Sequence, residues 1–269
     1  MPDLLVEKHK GIMTITLNRP QARNAFSPEL LVMLCDAWHE FRDDKAMRVA
    51  VLTGSGDKAF SAGGDLKILI SLFTGARQAE TDIEQKLMSD LPRIMSAALL
   101  RPFELYKPIV AAVNGPCLAG GSEILQMTDI RVASSTATFG LTEVQRGLTP
   151  GAGSMVRLPR QISHCQAMEI LLTGDSISAE KAERIGLINE VVAPEQLMPR
   201  AYEVADRLAR NAPIAVQACK EVVWRTSGLP LEEAYKIEYE VAQKATISKD
   251  ALEGGKAFAE KRDPVFLGE

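Results

Sequence analysis

Short apolar runs alternate with one long helical stripe in the first part of the chain. Runs rich in β-branched residues and bounded by Gly, Pro or Asn predict strands at residues 4–6, 12–17, 48–53 and 109–113. The first two strands flank a hairpin turn at residues 8–11. Ser27, Pro28 and Glu29 form a helix start, and apolar residues then recur at helical spacing as far as Phe41.

The pattern becomes mainly helical in the second half. Short strands are predicted at residues 129–133 and 138–139, and a helical stripe at residues 81–100 has a kink at Pro92. Later helices are predicted at residues 163–172, 178–185, 194–211, 214–227, 231–245 and 249–262. Strands early and helices late indicate an α/β protein whose helical C-terminal region is of the kind that often packs on a neighbouring subunit.

Composition excludes several classes of protein. The chain has 269 residues, 46% hydrophobic and 25% charged, with a net charge of −4 and no basic block. Nucleic acids and anionic membranes are therefore not expected as partners. The four cysteines are scattered without metal-ligand or redox spacing, no segment is apolar enough to span a bilayer, and no signal core begins the chain. We expect a cytoplasmic, enzyme-sized protein with no metal site.

Two glycine-containing turns lie between a strand and a helix. One turn, at residues 60–67, contains Gly63-Gly64-Asp65, and the other contains Gly120-Gly121-Ser122 just before a helix predicted at residues 123–127. Free N–H groups at such helix starts can stabilise an anion that forms during a reaction. Each turn alone is a weak signal and is better explained as a tight connection, since glycine-rich turns are common. Asp65 is expected to act as a helix N-cap in either case. The two turns would form an oxyanion hole only if they met in space.

Two glutamates begin short elements beside these turns. Glu123 follows the second glycine turn, and Glu143 precedes the Gly/Pro turn at residues 148–153. A single Glu at such a position is most often a solvated residue in the first turn of a helix. Two of them near two candidate oxyanion donors would suit general acid/base work on a neutral substrate.

Nearly the whole chain resembles the crotonase family, the enoyl-CoA hydratase/isomerase superfamily. Matching stretches occur in order at residues 18–25, 60–66, 107–123, 139–153, 171–187 and 253–262. The resemblance implies a spiral of ββα units, with a core at residues 1–200 that holds the acyl-CoA site. It also implies a helical region at residues 201–269 for oligomerisation and completion of the CoA site. The expected assembly is a homotrimer or a hexamer made of two trimers.

The resemblance also implies roles for individual residues. The oxyanion amides fall on Gly64 and Gly120, and the catalytic glutamates fall on Glu123 and Glu143. Gly151 matches a glycine whose backbone helps to orient the site, and Phe258 and Lys261 match residues that reach the CoA of an adjacent subunit. The loops that contact CoA fall on Ala22, Arg23, Ala25, Ala62, Asp65, Leu66 and Lys67.

Some positions depart from the family pattern. Ala119 stands where many hydratases have Gly, and Ser122 where many have Cys. Residues 127–129 also differ from the commoner Ala-Cys-Asp. No catalytic group is removed, so these differences indicate a divergent subgroup and leave the acyl group of the substrate open.

The resemblance favours an enoyl-CoA hydratase with no cofactor, because CoA is part of the substrate. Glu143 is expected to give the proton to C2 and Glu123 to hold the water as base. The alternatives are a Δ3,Δ2-enoyl-CoA isomerase, another acyl-CoA lyase of this family, and a non-catalytic RNA- or partner-binding protein. An RNA-binding protein predicts a basic stripe with exposed aromatics, which net charge −4 and 5% aromatic residues disfavour.

Overall fold

Nine strands form two sheets. A computed structural model describes all 269 residues. In chain order the strands are β1 (Leu4–His9), β2 (Ile12–Leu17), β3 (Val49–Gly54), β4 (Ile109–Val113), β5 (Cys117–Leu118), β6 (Ile130–Ser134), β7 (Thr138–Gly140), β8 (Ile177–Ser178) and β9 (Glu190–Val192). The main sheet has the order β1-β2-β3-β4-β6-β9 and is parallel except for the β1–β2 hairpin. The second sheet has the order β5-β7-β8.

Twelve α-helices surround the sheets and continue beyond them. They are α1 (Pro28–Asp43), α2 (Ser71–Phe73), α3 (Asp82–Ser89), α4 (Leu91–Ala98), α5 (Gly120–Leu125), α6 (Ser154–Gln161), α7 (His164–Thr173), α8 (Ala179–Arg184), α9 (Leu197–Arg210), α10 (Pro213–Thr226), α11 (Leu231–Thr246) and α12 (Lys249–Glu260). A π-helical turn spans Leu66–Ile70, and 3₁₀ turns span Pro20–Ala22, Thr142–Arg146 and Pro194–Gln196.

The central strands β2, β3, β4 and β6 of the main sheet are buried on both faces, which explains their continuous apolar runs. Along β3, Val49 and Val51 point toward α9, while Ala50 and Leu52 point into the larger core on the other face. This alternation follows from the two-residue period of a strand. The predicted strands of this sheet are therefore confirmed, with small shifts at their ends.

Several predicted boundaries are wrong. Helix α5 begins at Gly120 rather than at residue 123. The helical stripe at residues 81–100 is two helices, which break at Asp90 just before Pro92 instead of bending there. Helix α6 and strands β5, β8 and β9 were not predicted, since α6 contains Pro159 and these strands are only two or three residues long.

The predicted boundary between the core and the helical C-terminal region, at residue 200, falls inside α9. This helix packs on the main sheet through Leu197, Ala201 and Val204, so its whole length belongs with the core. Helices α10 and α11 pack mainly against each other. The assignment of residues 201–269 to oligomerisation stays a prediction. No helix in the structure combines the length and the apolar character needed to cross a membrane.

Candidate active site

The two glycine turns lie directly against each other. The Leu118 N–H donates to Ser61 O (2.9 Å), and the Phe60 N–H donates to Pro116 O (3.0 Å), so the segments pair as a short parallel bridge. A Cβ on Gly63 would lie 2.8 Å from the Gly120 nitrogen, and one on Gly121 would lie 2.7 Å from Ser61 O. Such an approach is open only to glycine.

The amides predicted to form an oxyanion hole have no acceptor inside the protein. Gly120 is the first residue of α5, where a backbone N–H has no partner within the helix. Gly64 is in an isolated bridge with Phe26, yet its own N–H takes no part in that pairing. The Gly64 and Gly120 amides are thus two unused donors in adjoining turns. An oxyanion hole requires two such free donors.

Ala119, which precedes Gly120, has a strained backbone. Its φ of 49° and ψ of −126° lie in a region that L-residues rarely adopt. The conformation turns the chain so that the Ala119 N–H donates to Gly140 O (2.9 Å) while Gly120 opens the helix. The alanine found where many hydratases have glycine is therefore a source of strain next to the site.

We expect Ala119→Gly to raise the free energy of unfolding by about 1 kcal/mol. Relief of about 1–3 kcal/mol of strain exceeds the entropy of about 0.4–1 kcal/mol that glycine adds to the unfolded chain. Urea denaturation followed by circular dichroism measures the difference. The control is Ala46→Gly, at an exposed turn residue without positive φ, which should lose stability. Equal losses in both variants would contradict the strain assigned to Ala119.

Glu123 lies one turn into α5, on the face of the helix that begins with Gly120. It is 4% exposed, and its Oε1 accepts a hydrogen bond from the Ser154 N–H (3.2 Å). Burial, reinforced by repulsion from Glu143, raises the pKa of Glu123 to about 7, against the opposing effect of the Ser154 and Ala152 N–H groups and Arg157. A carboxyl group in this environment can exchange a proton near neutral pH.

Glu143 lies in the 3₁₀ turn Thr142–Arg146 and faces the same interior. Its Oε2 is buried and has no hydrogen-bond partner in the protein. Burial also raises the pKa of Glu143. A buried carboxyl oxygen without a partner is costly unless it binds something else, such as water or a substrate. Because repulsion from Glu143 contributes to the raised pKa of Glu123, the charge on Glu143 affects the protonation of Glu123.

The surroundings of the two glutamates bear on the predicted division of roles. Glu123 is the more deeply buried of the two, and repulsion from ionised Glu143 adds to its raised pKa. The prediction made Glu123 the ionised base and Glu143 the proton donor. Burial and repulsion therefore favour the protonated form of Glu123, and the division of roles between the two glutamates stays a prediction.

The loops predicted to contact CoA are also joined to each other. The Ala62 N–H donates to Arg23 O (3.0 Å), and the Phe26 N–H donates to Gly63 O (2.7 Å), so the segment containing Ala22, Arg23 and Ala25 borders the first glycine turn. The side chains of Arg23, Leu66 and Lys67 are exposed at this border. The loops therefore bring these candidate contacts together at the surface beside Gly64.

Asp65 has the structural role predicted for it. Its Oδ1 accepts hydrogen bonds from the Lys67 and Ile68 N–H groups (3.1 and 3.2 Å), and its Oδ2 accepts from Arg19 (3.3 Å). These contacts cap the π-helical turn that follows Gly64. Asp65 thus fixes the direction in which the chain leaves the oxyanion turn.

The remaining predicted residues are spread more widely. Gly151 lies in an exposed turn, and its carbonyl accepts a hydrogen bond from Arg101. On α12 Phe258 is 87% exposed, and Lys261 ends the helix with φ 53°. Phe258 has almost no contacts within its own chain, so the structure does not bring it to the CoA loops. Its role across a subunit boundary stays a prediction.

Sequence reasoning missed two side chains around the site. Asn24 is fully buried with φ 53°, accepts from the Arg19 N–H (2.9 Å) and donates to Ala59 O (2.8 Å). The tolerance of Asn for left-handed backbone was the available signal. Arg157 on α6 donates to Glu123 O (3.3 Å), and no pattern in the sequence indicated this.

A sizeable cavity lies away from the two glutamates. It has a volume of about 860 Å³ and lies behind α5, between the chain at residues 100–109, α6 and α10. Gln126, Gly153 and Arg157 line it, whereas the two glutamates and the two oxyanion glycines do not. The candidate site is therefore defined by its converging polar groups rather than by cavity size.

A sequence model of the family described as enoyl-CoA hydratase/isomerase matches residues 7–269. The chain belongs to the enoyl-CoA hydratase/isomerase family. Enoyl-CoA hydratase EchA19 of Mycobacterium tuberculosis is 44% identical over 265 residues, covering 98% of this chain and 96% of that protein. A carnitinyl-CoA dehydratase of Citrobacter koseri is 39% identical over 265 residues, covering 97% of each chain.

The fold comparison agrees with family membership. The structure of an enoyl-CoA hydratase/isomerase of Mycobacterium abscessus superposes with a TM-score of 0.88 at 42% identity, covering 99% of this chain and 100% of that one. The predicted crotonase-like α/β fold with a helical C-terminal region is confirmed. The protein is an enzyme of this family.

Proposed function

We propose that this enzyme is an enoyl-CoA hydratase, which adds water reversibly and in syn fashion to a trans-2-enoyl-CoA to give a 3-hydroxyacyl-CoA. One observation carries the proposal: the unpaired amides of Gly64 and Gly120 lie in abutting turns, and the buried carboxyl group of Glu123, one turn after Gly120, is repelled by the half-buried Glu143. The names of the M. tuberculosis and C. koseri relatives, a hydratase and a dehydratase, agree with hydro-lyase chemistry.

The proposed reaction needs both pairs of groups. The water oxygen bonds to C3 as one carboxylate takes a water proton, and the electrons of the double bond move toward the thioester carbonyl oxygen. The two amides stabilise that oxygen more strongly as its negative charge grows. The other carboxyl group then gives its proton to C2, so the pair holds one proton before and after turnover. This chemistry requires no metal or redox cofactor.

The division of roles between the glutamates has two forms. If Glu123 is the base and Glu143 the donor to C2, the proton held by Glu123 in the free enzyme must first pass to Glu143, for which a shared water is the route. If Glu123 is the donor, its proton is already in place for the first turnover. Each hydration then leaves the proton on Glu143, and it must return to Glu123 before the next. We retain the first form, and the pH dependence below distinguishes the two.

We expect a bell-shaped dependence of kcat/KM on pH. The rate falls at low pH, where both carboxyl groups are protonated, and at high pH, where both are ionised. Because the Glu123 pKa is about 7, the basic limb should be centred near that value. Hydration of crotonyl-CoA in buffers of constant ionic strength measures the profile, and a flat profile between about pH 5 and 9 would contradict it.

The Gln variant of each glutamate identifies its role. In the pH profile of the remaining activity, replacement of the base should remove the fall at low pH, because no carboxyl group then has to ionise. Replacement of the proton donor should remove the fall at high pH, because no carboxyl group then has to stay protonated. If Glu123→Gln removes the basic limb, Glu123 is the donor and the retained division is wrong.

A direct assay tests the proposal as a whole. Crotonyl-CoA at a large excess over enzyme should lose the absorbance of its conjugated thioester over many turnovers, with 3-hydroxybutyryl-CoA as the product. A loss limited to one equivalent per site would indicate binding without catalysis and would overturn the proposal.

A Δ3,Δ2-enoyl-CoA isomerase is the second candidate, because it uses the same oxyanion hole. Isomerisation usually needs only one acid/base group, and the presence of both glutamates favours hydration. With 3-hexenoyl-CoA an isomerase produces conjugated absorbance without taking up oxygen from H₂¹⁸O. If this is the only reaction, the activity is isomerisation.

We also propose a homotrimer or a hexamer of two trimers. The C-terminal helices carry many large apolar side chains that are exposed in the single chain, namely Leu231, Tyr235, Tyr239, Ile247, Leu252 and Phe258. Exposed apolar surface of this kind marks an interface. Sedimentation equilibrium should give three or six chains, and a monomer at micromolar concentration would contradict the proposal.

A further inference from the structure

Arg157 is a half-buried cation without an ion-pair partner. No carboxylate lies within ion-pair distance of its guanidinium, although burial lowers the pKa of Arg157 to about 10. A charge removed from water without a paired charge usually costs stability. No ion pair explains why Arg157 is half-buried, so the explanation must come from the hydrogen bonds that its guanidinium makes.

The guanidinium joins two segments of the site through backbone carbonyls. Its Nη1 donates to Glu123 O (3.3 Å), and its Nη2 donates to Leu100 O (3.2 Å). Leu100 has φ 55°, a left-handed conformation that is costly for leucine. Arg157 thus links the helix that carries Glu123 to a strained turn, and the planar fork of arginine suits two such acceptors.

A third segment packs against the same guanidinium. A Cβ on Gly153, which has φ 123°, would lie 2.9 Å from Arg157 Cζ. The next residue, Ser154, donates its N–H to Glu123 Oε1, and its Oγ accepts from Gln126 (2.9 Å). The turn that hydrogen-bonds the Glu123 carboxyl group therefore rests on the guanidinium of Arg157.

We propose that Arg157 is a positioning residue for Glu123: it fixes the Ser154 N–H and the backbone of Glu123 relative to each other, and its positive charge favours the carboxylate form. The inference rests on the proposed function only in assigning catalysis to Glu123. Its electrostatic part concerns a titration that exists without substrate.

The charged groups around Glu123 determine whether loss of the Arg157 charge raises or lowers the pKa of Glu123. Glu143 faces it from the 3₁₀ turn and raises its pKa, whereas Arg157 faces it from α6 and lowers it. Arg101 faces Arg157 from the turn after Leu100. Removing the Arg157 charge should therefore raise the pKa of Glu123. Whichever limb of the pH profile Glu123 controls then moves to higher pH.

The experiment compares Arg157→Met, Arg157→Lys and the control Arg160→Met. Arg160 lies three residues after Arg157 on the same helix. Its side chain is exposed, and its only hydrogen bond is to Val156 O within α6. For Arg157→Met we expect the limb controlled by Glu123 to move up by about one pH unit and kcat to fall about tenfold or more. For Arg157→Lys the limb stays near that of the wild type, while kcat still falls because the fork is lost. Arg160→Met should match the wild type.

A titration without substrate separates this inference from the proposed function. In protein labelled with ¹³C at the Glu carboxyl carbons, subtraction of the Glu123→Gln spectrum assigns the Glu123 signal, whose midpoint should rise by about one unit in Arg157→Met. An unchanged midpoint with lower kcat would make Arg157 merely structural and overturn the inference. If Arg157→Met does not fold, the kcat of Arg157→Lys is the test. A wild-type kcat in Arg157→Lys would overturn the positioning role. Absence of wild-type turnover would overturn the hydratase proposal and leave the titration result intact.

Discussion

Glu143→Gln is expected to lower kcat for crotonyl-CoA hydration by about 10²–10⁴-fold while leaving the fold intact. The Glu143 Oε2 is buried without a hydrogen-bond partner, and the backbone N–H that the carboxylate accepts from can also be accepted by the oxygen of an isosteric amide. The amide cannot exchange a proton in either role of the glutamate pair. The loss should fall on kcat, because the CoA loops and the two oxyanion amides are unchanged.

Stopped-flow absorbance at saturating crotonyl-CoA measures this loss, and binding of butyryl-CoA measures the retained affinity. Glu195→Gln, in an exposed 3₁₀ turn, is the matched control and should behave as the wild type. Turnover within about tenfold of the wild type in Glu143→Gln would remove Glu143 from proton transfer.

A second consequence of Glu143→Gln appears in the pKa of its neighbour. Repulsion from Glu143 is one cause of the raised Glu123 pKa, so its removal should let that pKa fall below about 7. The shift is opposite in sign to the one expected for Arg157→Met. The two variants together therefore test whether both charges act on one carboxyl group.

Sequence patterns predicted the elements that carry the site, because each has a strong local signal. The strand at residues 109–113 is a continuous β-branched run, and the Ser27 cap observed on α1 is a standard helix start. Asp65 was predicted as an N-cap from its place after two glycines, and the structure confirms it. Local chemistry of this kind does not depend on the rest of the fold.

The parts that the sequence did not predict depend on contacts between distant segments. Helix α6 has an internal proline and no side-chain cap, so its local signal is weak, yet it supplies Ser154 and Arg157 to Glu123. No local sequence pattern shows that the turn at Leu100, helix α5 and helix α6 meet at the Arg157 guanidinium. The raised pKa values of Glu123 and Glu143 could likewise not be predicted, because both follow mainly from burial.

Ser122 shows how a departure from the family pattern is accommodated. It is 6% exposed, and its hydroxyl donates to Cys117 O (2.5 Å), so a polar side chain replaces a thiol without leaving an unpaired group. Ala119, by contrast, replaces glycine at a position where the backbone requires positive φ. The two departures thus differ in cost although they are three residues apart.

Gly120→Pro is the second large effect, and Gly120→Ala is its matched control. Both variants place a Cβ about 3.1 Å from the Phe26 ring, but only proline removes the N–H. Proline is tolerated at the first position of a helix, which Gly120 occupies in α5. Loss of one oxyanion donor should lower kcat by about 10²–10³-fold in the proline variant. The alanine variant should lose no more than about tenfold, the cost of the shared contact with Phe26.

The vibrational spectrum of a bound thioester tests the same amide without turnover. Hydrogen bonds from Gly64 and Gly120 polarise the carbonyl of bound butyryl-CoA, so its stretching frequency should fall on binding to the wild type and to Gly120→Ala. With Gly120→Pro the fall should be smaller, because one donor remains. Equal frequencies and equal kcat in the proline and alanine variants would mean that the Gly120 amide does not bind the carbonyl. The oxyanion would then have to be stabilised by other groups, and the central observation behind the hydratase proposal would no longer support it.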